Sequence, residues 1–502
     1  MHVLLSVMDD SLLKIPLAWN MVALEAKTTM TCIENLAEFV SRVKYEDLGK
    51  EAKEQLKVRI LDAIGCAIGA IEAQTVQRIR EHTCEFDHGN HCALIGGGSA
   101  APDRAAFYNG ALVRYLDFND SYLAKGETCH PSDNLAPVLA ATEYAKGRGR
   151  DLLTALAVAY QVQCRLSEAA PVRAAGFDHT TQGSYAVAAG VSKALRLTPE
   201  QTANALAICG TAFNALRVTR TGKLSNWKGL AYPNTAACCT NAVFLARQGI
   251  TGPLEVIEGE KGFMDAIAGM FEVDWSREAL DRVPATILKK YNAEIHSQTA
   301  IEAALSLKTE HRFDVREIES INVEIFDVAF HIIGGGDEGD KMQVRSKEEA
   351  DHSLPYLIAV ALLDGQVMPE QYQPERIIRN GVQQLLRRIT IRPSDDYSAR
   401  FPKEMPCRLT VSLRNGKSVS VECKDYPGFI TRPMTWDDAF KKFEELASPH
   451  TSPELRRSIS DSIHHLERIE VAALTRLLSD IRCSPESQHP GAMKNKECRV
   501  CH

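Results

Sequence analysis

The chain has 502 residues, is 45% hydrophobic and 25% charged, and contains 31 Gly and 21 Pro. This is ordinary globular usage, which excludes collagen-like, disordered and coiled-coil chains. Its formal net charge of −7 is mild for the length and argues against a general nucleic-acid binder.

At the N-terminus, MHVLLSVMDD has no basic lead-in, and Asp9 and Asp10 interrupt its apolar run, so a secretory signal is not expected. No arginine precedes Arg42, a poor fit to a mitochondrial presequence. The expected compartment is the cytoplasm, with a mitochondrial location left open. Residues 1–32 and 483–502 read as poorly ordered extensions. Residues 33–83 repeat apolar side chains three and four apart and predict amphipathic helix. Ala- and Leu-rich segments continue to about residue 250, dominated by strong helix formers. Helix starts are expected at Asp151 and at Thr198-Pro199-Glu200. The longest charge-free run, Gly229–Ala246, is broken by Pro233, Asn234, Thr235 and Thr240. A membrane span needs about 20 predominantly apolar residues, so no membrane partner is expected.

From about residue 285 the texture changes. ESINVEIFDVAFHII and LLRRITIRPSD carry short alternating runs, and CRLTVSLRNGKSVSVECKDYP predicts a β-hairpin turning at Asn415-Gly416. Between them, EEADHSLPYLIAVALLDG predicts helix, and amphipathic helix returns after residue 432. The expected fold is mainly α with an α+β insertion. A discontinuous helical domain would span 33–284 and 433–482, with a smaller α+β lid domain at 285–432.

The 14 cysteines lie mostly in helical or apolar contexts, which predicts buried reduced thiols rather than a disulfide framework. Cys498 and Cys501-His502 have the spacing of half a zinc site, but no second pair lies nearby, and no metal is assigned.

Chemistry is most concentrated at residues 116–134, LDFNDSYLAKGETCHPSDN, where Asp117, Asn119, Asp120, Ser121, His130, Ser132, Asp133 and Asn134 lie between apolar helices. Unpaired buried polar groups cost about 1–3 kcal/mol each. Such a loop must therefore pair its groups internally, as a capping and turn cluster, or face a cleft. Pro131 biases His130 away from helix. A second cluster holds Arg217, Arg220, Lys223 and Lys228, and a third holds Lys289, Lys290, Tyr291 and His296. Each also reads as a solvated basic face. Brought together, and joined by His179, they would suit a polyanionic substrate, with cations fixing carboxylates and a histidine moving protons near neutral pH. Gly334–Gly336 with Asp337, Glu338 and Asp340 lacks EF-hand spacing and reads as a flexible acidic loop.

At these residues the sequence resembles the MmgE/PrpD family, which includes 2-methylcitrate dehydratase and cis-aconitate decarboxylase. The carriers are Leu116–Ser121, His130–Asn134, Trp227-Lys228, Ala293–Ala300 and Asp351–Tyr356, in family order. The resemblance implies a large helical domain with an α+β lid, usually a homodimer, and a pocket between them that binds a small tricarboxylate without a cofactor. It places Asp117, Ser121, His130, His179 and Lys228 on the helical side and Lys289 on the lid side. Phe330 falls where the decarboxylase branch carries a lid tyrosine, and the His130–Asn134 string looks more like the dehydratase branch.

The expected activity is cofactor-independent dehydration of 2-methylcitrate or a related 2-alkylcitrate. His130, Asp117, Lys228 and His179 are the expected catalytic groups, and Ser121, Arg217, Lys289 and Asp133 the expected substrate-binding groups. Which histidine is base and which acid stays open, as do a decarboxylase, an epimerase-type member and a catalytically inactive helical scaffold.

Overall fold

The computed structural model describes residues 30–86 and 89–482. The expectations for residues 1–29 and 483–502, including the Cys498–Cys501 half-site, fall outside the described residues. Helix α1 (Cys32–Arg42) starts where Thr31 and Glu34 close a reciprocal capping box, satisfying two orphan donors at once. The predicted helical run 33–83 is divided into α1, α2 (Lys50–Gly69) and α3 (Gln74–Phe86). The first break arises because the Asp47 carboxylate accepts from Lys44 N at 2.7 Å, local bonding that competes with helix.

Short strands β1 (Cys92–Ala93) and β2 (Ser99–Ala100) pair ahead of α4 (Pro102–Tyr115). Next comes the small hairpin β3 (Tyr122–Ala124) and β4 (Glu127–Cys129). Then follow α5 (Leu135–Tyr144), α6 (Gly149–Ala169), α7 (Thr180–Ala194), α8 (Pro199–Ala212) and α9 (Trp227–Arg247). Thr198 caps α8 as the sequence predicts. Asp151 instead lies inside the first turn of α6, accepting from Arg148 N at 2.8 Å.

The C-terminal module begins with α10 (Gln298–His311), β5 (Ile318–Ile325) and α11 (Asp327–Ile333), so the second half of ESINVEIFDVAFHII is helix rather than strand. The predicted helix at 348–365 is divided into α12 (Lys347–Ala350) and α13 (Leu354–Asp364). Ser353 caps α13 and Pro355 sits in its first turn, a pairing that starts a helix but does not continue one. Elements α14 (Pro374–Ile377), α15 (Asn380–Leu386), β6 (Ile389–Pro393), α16 (Asp395–Arg400), β7 (Cys407–Leu413) and β8 (Ser418–Cys423) complete it. The sheet order is β6-β5-β7-β8, with β5 and β6 parallel and the other pairs antiparallel. The predicted hairpin turns at Asn415-Gly416, where Gly416 has φ 81°.

Helices α17 (Trp436–Ala447), α18 (Pro453–His464) and α19 (Val471–Ser479) return to the first core. Phe443 and Leu474 are buried with Phe39, Leu61, Tyr108 and Tyr185, whereas Ile321, Leu357, Leu409 and Val411 form a second core around the sheet. The chain is thus a large helical domain with a smaller α+β domain. Cys66, Cys129, Cys164, Cys209 and Cys239 are buried free thiols. No helix among the described residues is long and apolar enough to cross a membrane.

The return of the C-terminal helices is locked at the start of α6. Gly149 N donates to Ile469 O at 2.9 Å, and Val471 N donates to Gly147 O at 3.1 Å. A Cβ built on Gly149 would lie 1.8 Å from Leu466 O, a backbone atom that cannot rotate away. Gly149→Ala is therefore expected to destabilise the chain by about 1–3 kcal/mol, the usual cost of overpacking. Urea unfolding midpoints check it, and an unchanged midpoint would refute this account of the closure.

Candidate active site

The polar loop at 116–134 serves as scaffold and as site at once. Asn119 Nδ2 donates to Ser132 Oγ at 2.9 Å and to Asp133 Oδ1 at 2.8 Å. Asp120 accepts from Ser132 N, Ser132 Oγ and Tyr160 Oη at 2.9, 2.7 and 2.7 Å. Asn134 donates to Gln163 Oε1 at 2.7 Å and accepts from Tyr232 Oη at 2.9 Å. These groups satisfy one another and hold the loop. Asp117, Glu127, Thr128 and His130 are the members that reach a cleft.

Asp117 sits just past the end of α4 with φ 54°, an uncommon conformation that Asp tolerates better than most residues. Its Oδ1 accepts from Arg114 and from Lys289 Nζ (2.8 Å), its Oδ2 from Lys228 Nζ (3.1 Å), and its carbonyl from Lys289 Nζ (2.6 Å). Burial acts to raise its pKa, but Arg114, Lys289 and Lys228 outweigh burial and hold it well below the usual carboxylate range.

Lys228 also donates to Asp351 Oδ1 at 2.9 Å, and its Nζ lies 3.0 Å from His352 Nδ1. The helix break at 351–353 is what turns Asp351 and His352 toward it. Asp117, Asp351 and His352 bring potential ligand atoms within 4.8 Å of one another, but the Lys228 ammonium already contacts all three.

Three histidines present ring nitrogens whose state their partners fix. His130 Nδ1 lies 2.8 Å from the Asp120 carbonyl, which can only accept, so Nδ1 carries the proton and Nε2 is a lone pair. Burial, then Arg114 and Lys289, push its pKa well below 6.5. His179 has the opposite arrangement. Its Nε2 lies 2.9 Å from Arg220 Nη2, which can only donate, leaving the proton on Nδ1, a buried atom without a hydrogen-bond partner. Burial lowers His179 to about 3, with Arg220 adding to the effect and Asp178 opposing it. His296 Nδ1 lies 2.7 Å from Glu294 Oε1, and its Nε2 is buried without a partner. Burial works to raise the Glu294 pKa, but His296 outweighs it and the carboxyl falls to about 2.

The cleft is lined by Asp117, His130, His179, Arg217 and Lys289 of the sequence-expected set. Lys228, Ser121 and Asp133 lie behind it. Ser121 Oγ stands 3.1 Å from His130 Nδ1, and its backbone pairs with Ile287. Asp133 is held by Asn119 and lies 3.6 Å from Arg114 Nε, and burial raises its carboxyl to about 7. From α11 it is Ile332, not Phe330, that lines the cleft.

Sequence reasoning missed Arg114, Arg173, Arg220, Glu127 and Glu338, which also line it. Arg220 was named only as part of a basic face, and Glu338 only as part of an acidic loop. Arg114 lies three residues before Asp117 at the end of a helix, a local spacing that could have flagged it.

Comparison with known proteins agrees with this architecture. The MmgE/PrpD N-terminal domain matches residues 34–276 and the MmgE/PrpD C-terminal domain residues 291–468. The chain belongs to the MmgE/PrpD family. It is 25% identical to cis-aconitate decarboxylase of Mus musculus, covering 92% of this chain and 96% of the relative. It is 26% identical to 2-methylcitrate dehydratase of Cupriavidus necator, covering 78% and 84%. It is 25% identical to the mitochondrial 2-methylcitrate dehydratase of Yarrowia lipolytica, covering 79% of each.

His179 makes stability depend on pH. Its folded pKa of about 3 lies below the ordinary 6.5, so its contribution is complete above pH 6.5 and is lost as pH falls toward 3. Each pH unit in that window removes about 1.4 kcal/mol. Between pH 7 and 5 the wild type should lose about 2 kcal/mol more than His179→Gln in urea unfolding. Equal losses would show that this histidine is not held neutral by the fold.

Proposed function

We propose that the protein dehydrates 2-methylcitrate or a related 2-alkylcitrate to the corresponding alkyl-cis-aconitate by proton transfer at His130. The observation that carries this reading is the His130 geometry: the ring lines the cleft with Arg114 and Lys289, and its Nδ1–H is tied to a backbone carbonyl, which leaves Nε2 as a lone pair. A carbon next to a carboxylate gives up a proton only if the added negative charge is stabilised. Preorganised cations in a buried site supply that stabilisation.

In this mechanism His130 Nε2 takes the proton from carbon, and Lys289 with Arg114 faces the developing enolate. The C=C bond forms as the C–O bond breaks, and the proton held by His130 goes to the departing hydroxyl, which leaves as water. His179, neutral because burial and Arg220 hold its pKa near 3, donates a hydrogen bond from Nδ1 rather than a full proton, as neutral imidazoles can. Asp117 and Lys228 position Lys289 and Arg114. Ser121 supports the His130 tautomer, and Arg217 anchors a substrate carboxylate. Decarboxylation of cis-aconitate is the second reading, favoured by the 92% coverage of the match to the mouse decarboxylase.

Purified chain incubated with 2-methylcitrate, citrate, a longer 2-alkylcitrate and cis-aconitate, with products identified by mass spectrometry, separates the two. Loss of water from an alkylcitrate supports the first reading and CO₂ from cis-aconitate the second. His130→Ala should lower kcat at least ~10²-fold. The acid limb of kcat/KM should lie well below pH 6.5, since the buried ring stays neutral there. Near-full activity in folded His130→Ala, or an acid limb at 6.5, would rule out this base.

A further inference from the structure

Arg173 and Arg217 both stand on the helical side of the cleft, on backbone that is tied down. Glu127 Oε2 accepts from Val172 N and Arg173 N, both at 3.1 Å, fixing the turn that carries Arg173. Arg217 N donates to Gly176 O at 2.9 Å, and Asp178 N to Ala215 O at 2.9 Å, so the two segments are stitched to each other. Between the guanidinium groups lies one carboxylate from the opposite module, Glu338, which follows α11 in the glycine-rich loop. Its Oε1 accepts from Arg173 Nη2 at 2.9 Å and from Arg217 Nη2 at 2.7 Å. Glu338 as a residue is only 6% exposed.

The fit is incomplete in a specific way. Glu338 Oε2 is buried and accepts no hydrogen bond, and Arg217 Nε is buried and donates none. An arginine normally meets a carboxylate through two parallel N–H···O bonds. Here one oxygen serves two arginines while a second oxygen and a second N–H go unused. A buried polar group left unmade is costly. The loop tether explains the compromise: Glu338 N donates to His331 O at 3.1 Å, and Lys341 Nζ donates to Glu338 O at 3.2 Å. Gly335 and Gly339, with φ 104° and 105°, flank the residue with backbone that can be rearranged. A free carboxylate has no tether and could engage both N–H groups of Arg217 while keeping Arg173.

We propose that Arg173 and Arg217 form a carboxylate-anchoring subsite and that Glu338 is its tethered resident, displaced when a polycarboxylate substrate binds. This rests on the proposed function only in taking the cleft's ligand to be a carboxylate. Glu338 is then a specificity determinant. A ligand must bring a carboxylate that outcompetes it, so neutral and singly charged analogues leave the subsite closed. The reacting carbon, near His130, is addressed by other groups, so the effect of Glu338 falls on binding.

The test is calorimetric titration of the full chain with tricarballylate, an unreactive tricarboxylate, alongside steady-state kinetics with 2-methylcitrate. Glu338→Gln and Glu338→Ala should each tighten tricarballylate roughly tenfold, the scale of one charge-assisted hydrogen bond, and lower KM by a similar factor. Arg217→Ala should weaken binding by at least that factor, and in Glu338→Ala/Arg217→Ala the gain should vanish, which a general loosening of the loop would not produce. Unchanged or weaker binding in both Glu338 variants overturns the proposal, as does a gain that survives removal of Arg217. The two readings fail separately. Wild type that dehydrates 2-methylcitrate, with tricarballylate affinity unmoved by Glu338→Ala, removes the resident carboxylate and keeps the reaction. A tenfold gain that depends on Arg217, in a chain that turns over no alkylcitrate, keeps the subsite and removes the reaction.

Discussion

The site depends on one buried carboxylate. Asp117 is contacted by Arg114 from the end of α4, by Lys228 from the first turn of α9, and by Lys289 from the segment entering the α+β module. Desolvating four charged groups is expensive, and such clusters often contribute little net stability. Their value lies in geometry, because each cation has one place to go. Through Lys228 the network reaches Asp351, which also binds Lys347 at 2.7 Å, so the break between α12 and α13 is tied to the loop after α4. Lys442 of α17 secures the same region from behind, donating to Phe118 O at 2.7 Å and Lys289 O at 2.9 Å while pairing with Asp62 at 2.7 Å. The C-terminal helices therefore do more than complete a core: one of them fixes the backbone on both sides of the Asp117–Lys289 contact.

That network determines what the histidines can be. Burial alone disfavours imidazolium, and Arg114 and Lys289 add to it at His130, so the ring beside the cleft is neutral by construction. Its tautomer follows from a carbonyl that cannot donate. His179 answers to Arg220 in the same way and keeps its proton on the other nitrogen. Identical side chains thus present a lone pair and an N–H because their partners are of opposite kind. The histidine pair at 130 and 179, whose rings lie 5.3 Å apart in edge contact, is differentiated without any difference in sequence chemistry.

The sequence made the helical class, the late appearance of strands and the Asn415-Gly416 hairpin legible, because each is local: periodicity, composition and a turn dipeptide. The breaks were harder. Nothing in 33–83 forbids one long helix by pattern, and the interruption depends on Asp47 bonding backwards to Lys44. The site was legible as a set of polar segments, and through the family resemblance as an ordered list, but not as an arrangement. Asp133 and Ser121 look as exposed to substrate as Asp117 in one dimension, yet the fold turns them to internal partners. Glu338 is the converse case. Surrounded by glycines and acids it has the composition of a solvated loop, and only its tertiary contact with Arg173 and Arg217 gives it a place in the cleft.

The same contacts separate what is fixed in the cleft from what can exchange. The chain enters the α+β module beside Lys289 and leaves it near Gly428, and these crossings are bonded to each other, with Leu288 N donating to Gly428 O at 3.0 Å and Ser121 pairing with Ile287. The root of the module is therefore held against the Asp117 network and cannot swing without breaking it. Every cleft cation named here already has an anionic partner: Asp117 for Arg114 and Lys289, Asp178 for Arg220, Glu338 for Arg173 and Arg217. A polyanionic ligand can bind only by exchange. Asp117 is held by three cations and Asp178 by Arg220 and the backbone of Thr180, so displacing either would unravel backbone. Glu338 is held by two arginines through a single oxygen, on a loop with glycines on both sides. Exchange is cheapest there, away from the root, so under the proposed reading Glu338 can yield to a ligand carboxylate while the Asp117 network keeps its geometry.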